Sequence, residues 1–438
     1  MSAAAPAPAP APGPGTWRPA RRPGPSTGLV LGVVAIVVLA LLSFLVILFL
    51  GGAIGSPLLV AVSGVMALVP LGFVIWAVLA IDRWEPEPRV AMWFSALWGG
   101  IAAVLLTLGT NGLVLEPLVV PFLPSQEAYE LYATVVQAPV VEELWKGVPV
   151  LIMYLWFRRT FDGPVDGIVF AALSAAGFAF TENILYFGSS LAQTGDGAFI
   201  FFLRGIMSPL THALFTAVGV GLALGLAARA RSRAWALVAF PAGWLVSALL
   251  HALWNSAGFW VPGGEFGYFT YYLVVQVPLC ALAAALVWLL LRQEVRITRA
   301  RLHDYGRAGW FTHEEVERLS SGDGRAALMD WARRRRLGAT MRDYIHTATR
   351  LANHRQRALI GRHAARDVAD EAGLLSLLLQ QRRELAASSA GPPLPVLQGA
   401  PVAAHGPQRV QRFGDLDGPR LTGRQQPPIG ETRGPVPW

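Results

Sequence analysis

The sequence predicts an all-α polytopic membrane protein, an eight-helix transmembrane bundle followed by a cytoplasmic helical tail. Three observations predict it. The chain of 438 residues is 54% hydrophobic and only 15% charged, far below the roughly one-quarter charged residues of soluble domains. Between Gly28 and Ile81 there is no Asp, Glu, Lys or Arg, although about 20 apolar residues already span a bilayer. Basic residues then fall only on alternate connections between apolar segments. Soluble enzymes, nucleic-acid-binding domains and disulfide-stapled scaffolds are poor fits to such a chain. Its one cysteine, Cys280, has no partner for an intrachain bridge.

The apolar segments are residues 28–50, 57–81, 90–110, 133–157, 163–187, 201–227, 234–260 and 268–291. Each is long enough to cross about 30 Å of hydrocarbon as a helix. Pro70, Pro149, Pro209, Pro241 and Pro278 lie inside them and predict kinks, which packed spanning helices tolerate. Arg18, Arg21 and Arg22 precede the first span. Arg83 and Arg89 mark the second connection, Arg158 and Arg159 the fourth, and Arg229, Arg231 and Arg233 the sixth. Connections 51–56, 111–132, 188–200 and 261–267 contain no Lys or Arg. The positive-inside rule therefore places both termini in the cytoplasm. The net charge of +8 reports topology and contact with the lipid bilayer rather than with nucleic acid. An excess of Arg over Lys, with abundant Ala, Gly and Pro, suggests a GC-rich bacterial genome, and the expected location is the inner or plasma membrane of a bacterium.

Residues 1–27 form a stiff Ala-Pro repeat with no reason to fold. They do not resemble a cleaved signal, because the apolar segment behind them is too long. Residues 292–390 read as a basic helical tail, expected to be solvated and lipid-facing. Thr312 and Glu315 have capping-box spacing ahead of Val316 and Leu319. Residues 391–438 are Pro/Gly-rich and are expected to be disordered.

A charge in hydrocarbon is costly, so each one marks a candidate functional site. Glu142, Glu143 and Lys146 lie in the fourth span, Glu182 in the fifth, Arg204 and His212 in the sixth, and His251 in the seventh. Spans one, two, three and eight carry none. Glu142 and Lys146 are i,i+4 with the favourable acid-first order, and Glu143 is three before Lys146. His251 and Asn255 share one helix face, and Arg204, Ser208 and His212 form one stripe. Ion-pair neutralisation accounts for part of this pattern, and Asn183 or Asn255 can act as interhelical glue. Two glutamates beside a single lysine still leave carboxylate and imidazole over. By helical rise Glu142 lies about 14 Å inside the outer surface, so the site should open toward the extracytoplasmic half.

A carboxylate in a low-dielectric cavity can act as general base on water, and imidazole or carboxamide groups can stabilise an oxyanion. Glu143, Glu182, His212 and His251 are also a ligand set for a divalent metal such as zinc. Either version points to hydrolysis of a peptide bond in a membrane protein. There is no H-E-x-x-H helix, and His313-Glu314-Glu315 lacks the second histidine. No membrane aspartate pair is present, and nothing singles out Ser208, Ser247 or Ser256 as a nucleophile.

Glu142-Glu143-x-x-Lys146, Phe178-x-x-x-Glu182-Asn183, the lone His212 and His251-x-x-x-Asn255 occur in the order found in PrsW-type membrane proteases, which the chain resembles over about residues 57–291. The loop from Asp82 to Pro88, with Glu85 and Glu87, is similar to the acidic, proline-containing loop of that family. The resemblance implies an intramembrane endopeptidase of the group that includes CAAX-processing enzymes, with an anti-sigma factor as one kind of substrate. It implies that Glu142 and Glu143 supply the base and its partner and that Lys146 orients them. Glu182, His212, His251 and Asn255 would complete the site. Glu182 stands where CAAX enzymes have a histidine. Two other classes suit buried ionisable groups, a proton-coupled transporter and a catalytically inactive peptide-binding scaffold. The oligomeric state is not legible in the sequence.

Overall fold

The computed structural model describes residues 27–157, 161–230, 232–262, 264–359 and 365–387. The Ala-Pro repeat, the Pro/Gly-rich C-terminal segment and Arg18, Arg21, Arg22, Arg158, Arg159 and Arg231 lie outside these residues. In hydrocarbon every backbone N–H must be satisfied within its own segment, and the apolar runs accordingly form helices. These are α1 (Thr27–Ile54), α2 (Pro57–Ile81), α3 (Arg89–Phe122), α4 (residues 126–156), α5 (Pro164–Thr194), α6 (Ala198–Ala228), α7 (Ala236–Trp260) and α8 (Phe266–Arg307). Among the described residues, 7 helices are long and apolar enough to cross a membrane. The remaining predicted span, α4, differs from them because Glu142, Glu143 and Lys146 interrupt its apolar sequence. The chain is a helical polytopic membrane protein.

Three features differ from the sequence reading. Helix α3 continues through Asn111 to Phe122, and α4 starts at Gln126, so little of the connection 111–132 is loop. Helix α6 is interrupted rather than kinked at Ser208–Leu210. Pro209 has no N–H to continue the ladder, and the freed turn is closed by Ser208 and Thr211. The Ser208 hydroxyl donates to the Leu203 carbonyl, and the Thr211 hydroxyl donates to that of Ser208. Helix α8 runs unbroken from apolar sequence into the Arg-rich region as far as Arg307.

Helix α5 is the centre. Its most apolar stretch is 78% buried, against 17% for α1 and 6% for α8, and α2, α3, α4 and α6 all pack on it. Glycine makes the closest approaches. A Cβ on Gly99 of α3 would lie 1.7 Å from the Ser174 carbonyl oxygen, and one on Gly167 of α5 would lie 2.1 Å from that of Gly221 in α6. Only small residues allow backbones this close, and in a membrane such contacts supply much of the helix association. Pro149 in α4 leaves the Trp145 carbonyl without its helical donor. The Trp98 indole N–H of α3 supplies one at 3.0 Å, which fixes α4 beside α3.

The C-terminal helices α9 (His313–Leu319), α10 (Gly322–Arg334), α11 (Gly338–Leu359) and α12 (Ala365–Ala387) follow. The capping box at α9 forms, with Thr312 Oγ1 accepting from the Glu315 N–H at 3.1 Å and Glu315 Oε2 accepting from the Thr312 N–H at 2.8 Å. These helices are more than a solvated appendage. Leu302, Val316, Leu319, Met341, Leu351 and Leu378 close a core of their own. They also hold the loop between α2 and α3. The Trp84 indole donates to Thr298 Oγ1, and Arg325 donates to the Trp84 carbonyl while its guanidinium covers the Trp84 ring at 3.4 Å. Asn353 reaches Glu85, and Arg357 pairs with Asp162.

That loop is acidic, and its Asp82 and Glu87 are buried while Arg83, Pro86 and Pro88 are exposed. Burial pushes the Asp82 carboxyl up to about 7, partly offset by the Glu87 N–H that it accepts. Burial also raises Glu85 and Glu87, as do the charges of Asp162 and Asp166 beside Glu85 and of Asp166 beside Glu87.

Two outcomes are expected. Gly99→Val and Gly167→Leu should each destabilise the detergent-purified protein by about 1–3 kcal/mol through overpacking. Gly64→Ala, at a position with open space around its Cβ, should leave the unfolding midpoint unchanged. A raised carboxyl binds more protons folded than unfolded between its ordinary value of 3.8 and about 7. Stability therefore falls as pH rises through that window. Asp82→Asn should flatten this fall in a melting series against pH, and an unchanged slope would contradict the assignment.

Candidate active site

The centre of the polar cluster is Lys146 Nζ, fully buried on α4. Its three protons have three acceptors. These are Glu143 Oε1 at 2.8 Å, Glu142 Oε2 at 3.1 Å and His212 Nδ1 at 3.0 Å. The i,i+3 and i,i+4 spacing brings both carboxylates to one lysine. The Phe178 ring of α5 lies 4.4 Å from the ammonium, a favourable cation–π contact. The Ser174 hydroxyl of α5 donates to the Lys146 carbonyl at 2.8 Å and anchors this turn of α4.

The two glutamates are not equivalent. Glu143 is fully buried, and both of its oxygens are engaged. Oε1 accepts from Lys146 and lies 3.1 Å from His251 Nδ1, while Oε2 accepts the Thr216 hydroxyl at 2.7 Å. Glu142 is 8% exposed, and among the described residues its one hydrogen bond is to Lys146 through Oε2. Glu143 is thus a fixed anion, and Glu142 is the carboxylate with lone pairs to spare.

The hydrogen-bond partners assign the imidazoles. An ammonium only donates, so the His212 Nδ1 facing it carries the lone pair. His212 Nε2 lies 2.9 Å from Glu182 Oε2 on α5 and donates to it. Lys146 and His251 both meet Glu143 Oε1, which only accepts, so His251 donates from Nδ1 and keeps its lone pair at Nε2. The two rings are edge to face at 5.1 Å, and His251 stacks on Phe215 at 5.3 Å.

Six of the seven residues that the sequence assigns to the site meet in this one cluster: Glu142, Glu143, Lys146, Glu182, His212 and His251. Asn255 does not. Its amide donates to the Thr134 carbonyl at 2.9 Å and ties α7 to the π-helical turn Ala133–Gln137 of α4. Arg204 and His212 lie on either side of the α6 break instead of forming one stripe, yet both reach Glu182. The Ser208, Ser247 and Ser256 hydroxyls donate to backbone carbonyls and none serves an imidazole. The sequence reading missed Thr216, which is four residues after His212 and therefore on the same helix face.

A metal set drawn from sequence, Glu143, Glu182, His212 and His251, differs from the geometry. The carboxylate and imidazole atoms that lie within 4.8 Å of one another belong to Glu142, His212 and His251. Adjacent residues on a helix point about 100° apart, and here it is Glu142 that faces the two imidazoles. One carboxylate and two imidazoles fit a catalytic divalent metal with an open position. The His212 Nδ1 lone pair is, however, the one that Lys146 occupies, and of the Glu142 oxygens Lys146 takes Oε2 and leaves Oε1 open. Metal and ammonium therefore compete for His212. Lys146→Met should leave buried carboxylates unpaired and destabilise the metal-free protein by about 3–5 kcal/mol. Zinc should then raise its melting point more than that of the unaltered protein, and an equal or smaller rise would contradict the competition.

A family model described as PrsW family intramembrane metalloprotease matches residues 87–283, the stretch that holds the whole cluster. Protease PrsW of Geobacillus kaustophilus (strain HTA426) is 28% identical over 142 residues, covering 31% of this chain and 54% of that protein. Protease PrsW of Clostridioides difficile (strain 630) is 30% identical over 122 residues, covering 28% of this chain and 48% of its own length. The chain thus spans about half the length of the curated relatives it matches. No solved structure matches. Over residues 87–283, from the α2–α3 loop into α8, the chain matches the PrsW family of intramembrane metalloproteases.

Proposed function

We propose that this chain is an intramembrane endopeptidase that hydrolyses a peptide bond of a membrane-bound protein near the extracytoplasmic side. The observation that carries the reading is the pairing of a locked carboxylate, Glu143, with a spare one, Glu142, on a single buried lysine. Glu142 is the general base that takes a proton from water, and Glu143 is the anion that holds Lys146, His251 and Thr216 in place. His251 Nε2, with its lone pair free, binds or relays the water proton. The Lys146 ammonium, whose three protons are already engaged, stabilises negative charge on the attacked carbonyl oxygen by its field through the pocket. In the alternative form of this reading, Glu142, His212 and His251 would hold a divalent metal such as zinc, and Glu142 and His251 would then be ligands rather than the base and its relay. When bound, such an ion polarises a carbonyl and lowers the pKa of its water. A low-dielectric pocket strengthens each of these interactions.

The membrane location and the PrsW likeness support a membrane-protein substrate, with an anti-sigma factor as one kind. Arg83, Arg89, Arg229 and Arg233 and the Arg-rich C-terminal helices support cytoplasmic termini in a bacterial plasma membrane. One feature favours a transporter instead. Helix α6 is broken at Pro209 beside the ionisable cluster, as in many carriers. Helix α7, whose His251-Ala-Leu-Trp echoes the His212-Ala-Leu-Phe of α6, runs unbroken through Pro241, so the break is not repeated.

Glu142→Gln and Glu143→Gln should be expressed and inserted normally while losing about 10²–10⁴-fold in cleavage rate. The measurement is a census of new protein termini in the membrane fraction of a host making either the unaltered protein or a variant. New termini close to the outer ends of spanning segments should appear with the unaltered protein only. Equal cleavage by both variants would remove the peptidase reading, and substrate uptake by proteoliposomes would replace it with the transporter.

A further inference from the structure

We infer that Arg204 is a positioning residue that holds Glu182 as the acceptor of the His212 Nε2–H and so, together with Lys146 at Nδ1, sets the tautomer of His212. The inference deepens the peptidase reading of this site and rests on it, but its test does not depend on proteolysis.

Arg204 lies in the π-helical segment Phe202–Met207, just before the break in α6. Its side chain is held at three points. Nη2 donates to Glu182 Oε2 at 2.5 Å, Nε donates to Asn183 Oδ1 at 2.9 Å, and the guanidinium carbon lies 4.1 Å from the Tyr186 ring centroid. All three partners are on α5, so the planar fork is fixed in position and rotation. Oε2 of Glu182 is also the atom that meets His212 Nε2 at 2.9 Å. One carboxylate oxygen is therefore shared by a guanidinium and an imidazole.

The consequence follows from donor and acceptor roles. A carboxylate paired with arginine only accepts, so His212 must present N–H at Nε2 and a lone pair at Nδ1. That lone pair is the third acceptor of the Lys146 ammonium. The opposite tautomer would set an N–H of His212 against an N–H of Lys146, and this contact would break. Charge neutralisation alone does not require the second prong to Asn183 or the ring beneath the guanidinium, and both hold the guanidinium, and with it the Glu182 oxygen, in one place. Arg204 does not reach Lys146, Glu142 or Glu143 itself, and it acts on them through Glu182 and His212.

The test uses full-length protein labelled with ¹⁵N-histidine in lipid nanodiscs, with the His212 signals identified by their loss in His212→Gln. Ring nitrogen shifts distinguish a nitrogen that carries hydrogen from one with a lone pair. The unaltered protein should show a single tautomer with the lone pair at Nδ1. Arg204→Ala is purified with methylguanidinium present, which fills the pocket during folding, and is measured before and after wash-out. With methylguanidinium bound, the tautomer should match that of the unaltered protein. After wash-out the other tautomer should rise by about tenfold or more, the scale expected for losing a charge-assisted hydrogen bond. A proton on Nδ1 in the unaltered protein would overturn the inference. So would a washed Arg204→Ala protein that keeps the original tautomer.

Discussion

One ammonium group holds the site together. Lys146 is the only lysine in the chain, it is fully buried, and it lies between two adjacent carboxylates and an imidazole. Two carboxylates this close would repel in a medium of low dielectric, and an unpaired charge there costs several kcal/mol. The lysine makes them tolerable and gives the remaining lone pairs fixed tasks. Glu143 then holds His251 of α7 and Thr216 of α6. His212 passes the chain of contacts to Glu182 of α5 and on to Arg204. Four helices are joined by this single network, and removing its central cation would leave Glu142, Glu143 and His212 each short of a partner.

Packing supplies the distances that the network needs. The contacts of α5 with α3 and α6 are made backbone to backbone through Gly99, Gly167 and Gly221. No side chain intervenes there to absorb a change of spacing. The Trp98 indole fixes the proline-weakened turn of α4 immediately before Lys146. Arg204 and His212 then reach the same Glu182 oxygen from the two sides of the α6 break. Rigid elements hold the polar groups, and such support is what a preorganised site requires.

Much of this was legible in the sequence. Spans appear because hydrocarbon demands long apolar runs. The polar cluster appears because i,i+3 and i,i+4 spacing places Glu142, Glu143 and Lys146 on one face. Which glutamate is locked was not legible, because that depends on where Thr216 and His251 arrive from other helices. The same dependence decides which carboxylate joins the two imidazoles, Glu142 by the grouping of ligand atoms where the sequence pattern favoured Glu143 and Glu182, and where the Asn255 amide goes, which here is the α4 backbone. Pro209 announced a disturbance of α6 without showing whether the helix would bend or stop. In the C-terminal region the arginines dominate the composition and conceal the apolar positions, among them Leu302, Met341, Leu351 and Leu378, that close a second core.

Because the chain has one lysine, ¹⁵N-lysine labelling marks a single side-chain nitrogen. A dipolar-recoupling measurement between that nitrogen and ¹³C-labelled glutamate carboxyl carbons tests the central claim directly. The arrangement described here requires two carboxyl carbons at about 4 Å, as expected for paired hydrogen bonds of ordinary length. A lysine nitrogen with no carboxyl carbon within about 6 Å, well beyond hydrogen-bonding reach, would contradict it.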